Sequence, residues 1–458
     1  MTKTISLSSQ AIKKFSTPQL LKGSLYLTWG ASLLLLIATI SSVQGQRHAI
    51  KTVGKDAAPS ILNAQRIKDS LADMDANVAN ELLVKPGQNP EAVKAYNERR
   101  QKLANLLVSV AENITYGDAE RQPIQTLQLS LGEYLTTIQR ARDFNERGDT
   151  NGVLVTYRVA AKIIDNSLLP AAEALNQANL DKLEETYANE RAASGRALFV
   201  VVISGFALIG VLVAIQMFLY HRMRRILNPM LVAATAIAIV FLGYTIRALL
   251  VSSHHLKVAK QDSFASLLVL RQARALAYSA NADESRYLLD RALASTHEEA
   301  YFTKVAQIAS IPNGQTFESV AIASGQNQKV EGFTGLLADA LNNITFAGER
   351  DTAVKTLSTF GTYFTLDQQI RQLEQSGRHV EAVALCTGYK PGQSNWAFEQ
   401  FKQAHQEFLD INMKAFEEAV DRGFKDVEGF EISAPIVTVA IALLTLFGLL
   451  PRIKEYSA

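Results

Sequence analysis

Residues 66–80 read Arg-Ile-Lys-Asp-Ser-Leu-Ala-Asp-Met-Asp-Ala-Asn-Val-Ala-Asn, charged and amide side chains set among apolar ones. On a helix, Arg66, Asp73, Asn77 and Asn80 share one face beside an apolar stripe. Such a face suits an amino-acid-like ligand, the guanidinium taking its carboxylate and the aspartate its ammonium. A solvated face, or one buried against another subunit, accounts for the same residues. A counterpart at 281–286, Asn-Ala-Asp-Glu-Ser-Arg, adds Asp283, Glu284 and Arg286 as candidate ligand or partner contacts.

Two further sets are polar in a suggestive pattern. Arg142 follows Tyr134 by eight residues, and Arg371 follows Tyr363 by eight. Residues kept twice in one chain serve the fold more often than a ligand, so these four are read as structural, a salt bridge or a helix end. The link 221–229 holds Arg222, Arg224 and Arg225, candidates for contact with a cytoplasmic partner, although membrane anchoring alone explains them.

Chemistry of the catalytic kind has no foothold. The chain lacks a Walker loop, a dinucleotide fingerprint, His-Glu-x-x-His, Cys-x-x-Cys and a Gly-x-Ser-x-Gly elbow. Cys386 is the single cysteine, so no intramolecular disulfide can form, and the seven histidines show no metal-ligand spacing. No catalytic residue, metal or cofactor is assigned, and the chain is read as a non-enzyme. A net charge of +2 over 458 residues gives no overall attraction for nucleic acid.

The elements that position these residues begin with four apolar runs, at 24–43, 197–220, 229–251 and 434–450. Each is at or near the roughly 20 residues that a helix needs to cross a bilayer. The only charge within them, Arg247, lies near an end, where it can snorkel to the interface. The first run follows lysines, as a signal peptide would, but its length and the lack of an Ala-x-Ala site favour a retained anchor. Segments 1–23, 221–228 and 451–458 are basic and belong on the cytoplasmic side. The polar segments 44–196 and 252–433 then lie outside, giving a multi-pass plasma-membrane protein with both termini cytoplasmic.

Inside 44–196 the apolar spacing alternates between three and four, and breaks fall at Pro86-Gly87, Asn89-Pro90 and Gly148-Asp149. Four helices are predicted: 46–84, about 91–114, about 123–147, and one from about 151 into the second span, kinked at Pro170. This describes an antiparallel four-helix bundle. The second segment repeats the order. Asn-Ile-Thr-aromatic followed by Glu-Arg occurs at 113–121 and again at 343–350. At an offset of 229, Tyr134 meets Tyr363, Arg142 meets Arg371 and Gly148 meets Gly377; upstream the offset is 206. The fold expected is all-α, four transmembrane helices plus two extracytoplasmic bundles, built by duplication of a span–bundle–span unit. The two Asn-Ile-Thr triplets are formal glycosylation acceptors, but duplication explains their recurrence without glycans.

The outside segments resemble the four-helix-bundle sensor domains of bacterial chemoreceptors and histidine kinases, on PSILNAQRIKDSLADMDANVANELL (59–83) and its continuity with a span. No HAMP pair, kinase domain or methyl-accepting coiled coil follows the second or fourth span. Over the whole chain, RRILNPMLVAATAIA (224–238), ARALAYSANADESRYLLD (273–290) and LLPAAEAL (168–175) are similar to stretches of the GlnX-type bacterial membrane proteins. That resemblance implies a role between an outside amino-acid-binding protein and a cytoplasmic Ser/Thr kinase. The function expected is therefore a membrane sensor and signal relay, in contact with lipid and assembled as a homo-oligomer. The other class open to such a chain is a structural or scaffolding protein of an envelope complex.

Overall fold

The computed structural model describes residues 16–223 and 228–455. Those residues form an all-helical protein, without a named strand. The first half comprises α1 (Thr17–Lys51), α2 (Ala58–Leu82), α3 (Pro90–Glu112), α4 (Asp118–Glu146), α5 (Thr150–Ile163) and α6 (Leu169–Met223). The second comprises α7 (Pro229–Lys257), α8 (Ala265–Leu289), α9 (Ala294–Ile308), α10 (Phe317–Gly325), α11 (Leu336–Asn342), α12 (Glu349–Gln375), α13 (His379–Thr387), α14 (Ser394–Asp426) and α15 (Phe430–Glu455).

Local chemistry sets several of these ends. Asn89 caps α3 by accepting from the Ala92 N–H at 3.2 Å, with Pro90 at the first helical position. Asp149 caps α5 through Gly152 N–H at 2.8 Å, after a turn in which Gly148 takes φ +71°. Gly377 takes φ +77° in the matching turn before α13. Glu120 accepts from the N–H groups of Thr115 and Tyr116, both at 2.7 Å, and Glu349 accepts from those of Thr345 and Phe346 at 2.7 and 3.0 Å. The glutamates of the repeated motif thus tie down the two loops that lead into α4 and α12. Asn343 donates to the Asp262 carbonyl and the Ser266 hydroxyl at 2.9 and 2.8 Å, so its amide is engaged within the fold.

Three helices contain wide, π-helical turns, at Thr52–Ala57, Ile164–Leu168 and Val258–Phe264. The second lies just before Pro170, where a kink is predicted from the missing N–H. The first and third start 206 residues apart, the upstream offset of the sequence repeat. The halves also differ. The single helix predicted after the first helix of the second segment is instead α9, α10 and α11, separated by turns with positive-φ Gly314, Gly332 and Gly335. Gly335 has no alternative, since a Cβ there would lie 2.9 Å from the Gln307 carbonyl oxygen. The exit helices differ too. α6 is unbroken over 55 residues, whereas a turn with Gly429 at φ +79° separates α14 from α15.

The chain divides into two compact units. One combines Met1–Lys51, Glu185–Leu256 and Ala419–Ala458, and it holds the four stretches that, among the described residues, are long and apolar enough to cross a membrane, consistent with a membrane protein. Within it α1 packs along α15, with Trp29 Nε1 donating to the Ala442 carbonyl at 3.3 Å. At Gly205 an added Cβ would lie 2.4 Å from Leu242, so a missing side chain permits close packing. Phe199, Phe206, Val240, Ile436 and Phe447 remain exposed, as suits lipid.

The other unit combines Thr52–Glu184 and Lys257–Glu418, so both polar segments share one body. Here α2 lies against both α3 and α8, and α8 against α9. The core of the first segment is largely aliphatic, drawing Ile67, Leu71, Met74 and Val78 from α2 against Leu103, Leu107, Ile124 and Ile138. Phe360, Tyr363, Phe398 and Phe401 make an interlocked aromatic core in the second, with ring centroids 5.1–6.2 Å apart.

Candidate functional site

Charges of opposite sign on α2 and α8 make the seam between these helices strongly polar. Among the residues of α2, Asp69, Asp73 and Asp75 interrupt its aliphatic stripe, and all three are buried. The facing helix α8 carries Arg271, Arg274 and Arg286. About 200 residues separate the partners along the chain, and the pairing of the first helices of the two segments brings them together.

One end of the seam is a closed lattice. Arg286, 5% exposed, donates to Asp75 at 2.5 Å, to Asp165 and Asp283 at 3.1 Å, and to the Tyr157 hydroxyl at 3.2 Å. Asp75, 1% exposed, also accepts from Tyr157 at 3.3 Å and Tyr134 at 3.5 Å. Lys304 completes Asp283, and Arg158 forks onto Asp290 with two contacts of 2.6 Å. Burial pushes the Asp75 carboxyl up, and Arg286 opposes the shift. Every charge here has a partner of the other sign.

Further along lies an isolated acid. Glu284 is fully buried and accepts from the Ser394 hydroxyl at 2.7 Å and the Cys386 thiol at 3.4 Å. Burial, reinforced by the nearby Asp367 carboxylate, pushes it up to about 8. Asp367 itself receives a fork from Arg371 at 2.8 and 2.9 Å.

The other end of the seam is open. A cavity of about 580 Å³ is walled by Arg66, Arg99, Lys102, Arg271 and Arg274, with Asp69 as the lining carboxylate. Asp69 accepts from Arg271 at 3.2 Å. Asp73 receives Arg99 at 2.5 Å and the Asn77 amide at 2.9 Å. Arg274 meets only neutral oxygens, Gln406 at 2.5 Å and the Tyr278 hydroxyl at 3.3 Å. Burial pushes Arg271 down from the usual guanidinium range, and the positive neighbours Arg274 and Arg66 add to the shift against Asp69. Buried His405, pushed well below the usual imidazole range by burial and by Arg274 and Arg271, sits neutral in the same field.

The sequence-derived candidates therefore separate. Arg66 is exposed on the rim of the cavity, beside Asn63 at 3.5 Å. Asp73, read as an ammonium acceptor, is already engaged by Arg99, and Asn77 holds that carboxylate in place. Asn80 accepts from Asn395 at 3.2 Å and belongs to the packing of α2 on α14. Asp283 and Arg286 lie in the closed lattice, and Glu284 lies apart from both. Arg142 forks onto Glu81 at 2.9 and 2.7 Å and covers the Tyr96 ring at 4.4 Å, while Tyr363 is wholly buried. Arg222 is exposed at the end of α6; Arg224 and Arg225 lie outside the described residues.

Sequence reasoning missed Asp69, Arg99, Lys102, Arg271 and Arg274. A signal existed: three aspartates interrupt the stripe of α2, and three arginines interrupt that of α8. No group of His, Cys, Asp and Glu suited to a metal occurs among the described residues.

Residues 49–188 match the family described as an actinobacterial sensor domain. This similarity supports a bacterial sensor protein and suggests a sensing or signalling role. No curated protein and no solved structure matches the chain.

Proposed function

We propose that the chain is a plasma-membrane sensor that passes an outside signal to a separate cytoplasmic partner, acting by binding and without catalysis. One observation carries this reading. The sensor-like segment 49–188 begins within α1 and ends within α6, and both helices also contain a membrane-capable stretch. A sensor domain entered and left through such helices is placed to move them.

The finer architecture is two extracytoplasmic helical bundles, products of one duplication, with both termini and the basic link inside. The repeated loop glutamates Glu120 and Glu349, the repeated glycine turns and the π turns 206 residues apart support the duplication. The partners fit the GlnX-type resemblance: an outside amino-acid-binding protein as input, and a cytoplasmic Ser/Thr kinase docking on Arg222, Arg224 and Arg225 as output.

Rigid transmission favours α6, which continues through Gly195 without a turn. The test is kinase activity co-purified with the full chain in nanodiscs, with and without loaded binding protein. Gly195→Pro breaks the helix and should uncouple input from output while the thermal transition survives. An unchanged response would sink the relay. Reporter fusions on both sides of each span check the orientation.

A further inference from the structure

The open end of the seam is built unlike the rest of the interior. Five cations line one cavity of about 580 Å³, within the usual range of small-ligand sites of about 300–1,000 Å³. They face one lining carboxylate, Asp69, or two when Asp73, which holds Arg99, is counted. Three positive charges are left over. Arg66 and Lys102 have no carboxylate partner among the described residues, and Arg274 bonds only to neutral oxygens. The buried Nε–H groups of Arg271 and Arg274 have no hydrogen-bond partner in the protein.

Such an arrangement is costly. A guanidinium withdrawn from water without a counter-charge or a full set of acceptors is destabilising, and like charges gathered around one cavity repel. The closed lattice around Arg286 shows how this fold neutralises a buried arginine when a structural ion pair suffices. The open end lacks that neutralisation, and its excess charge surrounds space of ligand size. Guanidinium forks match the paired oxygens of a carboxylate or a phosphate.

We infer that this cavity binds a small soluble oxyanion carrying at least two negative charges, a polycarboxylate or inorganic phosphate. Arg271 and Arg274 make the inner contacts, and Arg66 and Lys102 hold the outer rim. An amine on the ligand gains nothing here, since Asp69 and Asp73 already serve Arg271 and Arg99. The inference supplies a ligand class for the sensor reading and rests on it for its physiological meaning, while binding is measured with no signalling partner present.

The experiment is thermal unfolding of the full chain in nanodiscs with citrate, succinate, phosphate, L-glutamate or sodium chloride at matched ionic strength. Citrate or succinate alone raising the transition assigns a carboxylate ligand, and phosphate alone assigns a phosphate. Either supports the site. Titration should then show at least a tenfold weaker affinity for Arg274→Gln. The exposed pair Arg66→Gln and Lys102→Gln removes rim charge without touching the core and should weaken binding several-fold. A shift no larger than that of chloride for all three anions, a response to L-glutamate alone, or undiminished affinity in the rim double variant would overturn it.

Discussion

The two ends of the α2–α8 seam use the same residue types to opposite effect. Around Arg286, each guanidinium edge meets an aspartate or a tyrosine, and the acids it touches are themselves shared with Tyr134, Tyr157 and Lys304. Around Arg274, arginines outnumber acids and face open space. Burial falls from Arg286 to the exposed rim at Arg66 and Lys102, and the ratio of charges changes with it. A buried arginine met by acids holds two helices in register, whereas an unmatched one keeps, on the inference above, a place for an anion.

The sharpest way to break this contrast is Arg286→Met. It leaves Asp75 buried without its cation and Asp283 with Lys304 alone, and the expected loss is about 3–5 kcal/mol, read from thermal or denaturant unfolding. The further change Asp75→Asn should recover part of that loss, because it removes the stranded charge.

Next in size is the pH response of Glu284. Burial beside Asp367 holds its folded carboxyl up at about 8, while an unfolded glutamate lies near 4.3, so the folded state keeps a proton that the unfolded chain releases. Stability contributed by this group is present at low pH and is lost as pH rises from about 4.3 through 8. Glu284→Gln should flatten that decline, a change of about 3–4 kcal/mol between pH 5 and 8. A decline unchanged in the variant would remove Glu284 as its source.

Arg142→Ala should cost less, roughly 1–3 kcal/mol, since it frees Glu81 in a half-buried site rather than in the core. Smallest is Arg66→Gln at the open end, within about 0.5 kcal/mol of the parent in stability. If Arg66→Gln destabilised as much as Arg142→Ala, the open end would be structural and the contrast would collapse.

Much of the helical layout was legible because three-and-four spacing, Asn-Pro, Gly-Asp and long apolar runs are local signals. The helices α3, α4 and α5 begin within a few residues of their predicted starts. What was lost was set by distance along the chain. Asp69 and Arg271 are 202 residues apart, and nothing local says that α2 and α8 lie together. The same gap hid the difference between Asp73, consumed by Arg99, and Arg66, left on the rim. The break of the second helix into α9, α10 and α11 follows from Gly314, Gly332 and Gly335, glycines in left-handed turns that a comparison of copies passes over when it seeks matches.

The π turns at 52–57 and 258–264 bear on how the seam keeps its alignment. A wide turn carries surplus chain, so each is a place where the phase of the following helix is set independently of the one before. Removing one residue from 52–57 can be taken up as the wide turn tightens to α geometry, whereas removing one from the regular turns between Ala58 and Asp69 would turn the aspartates of α2 by about 100° away from the arginines of α8. A deletion in 258–264 is absorbed in the same way, and one in the regular turns of α8 before Arg271 is not. The two turns act as the trim adjustments of a paired drive, and the charge pattern of the seam is a record of where they are set.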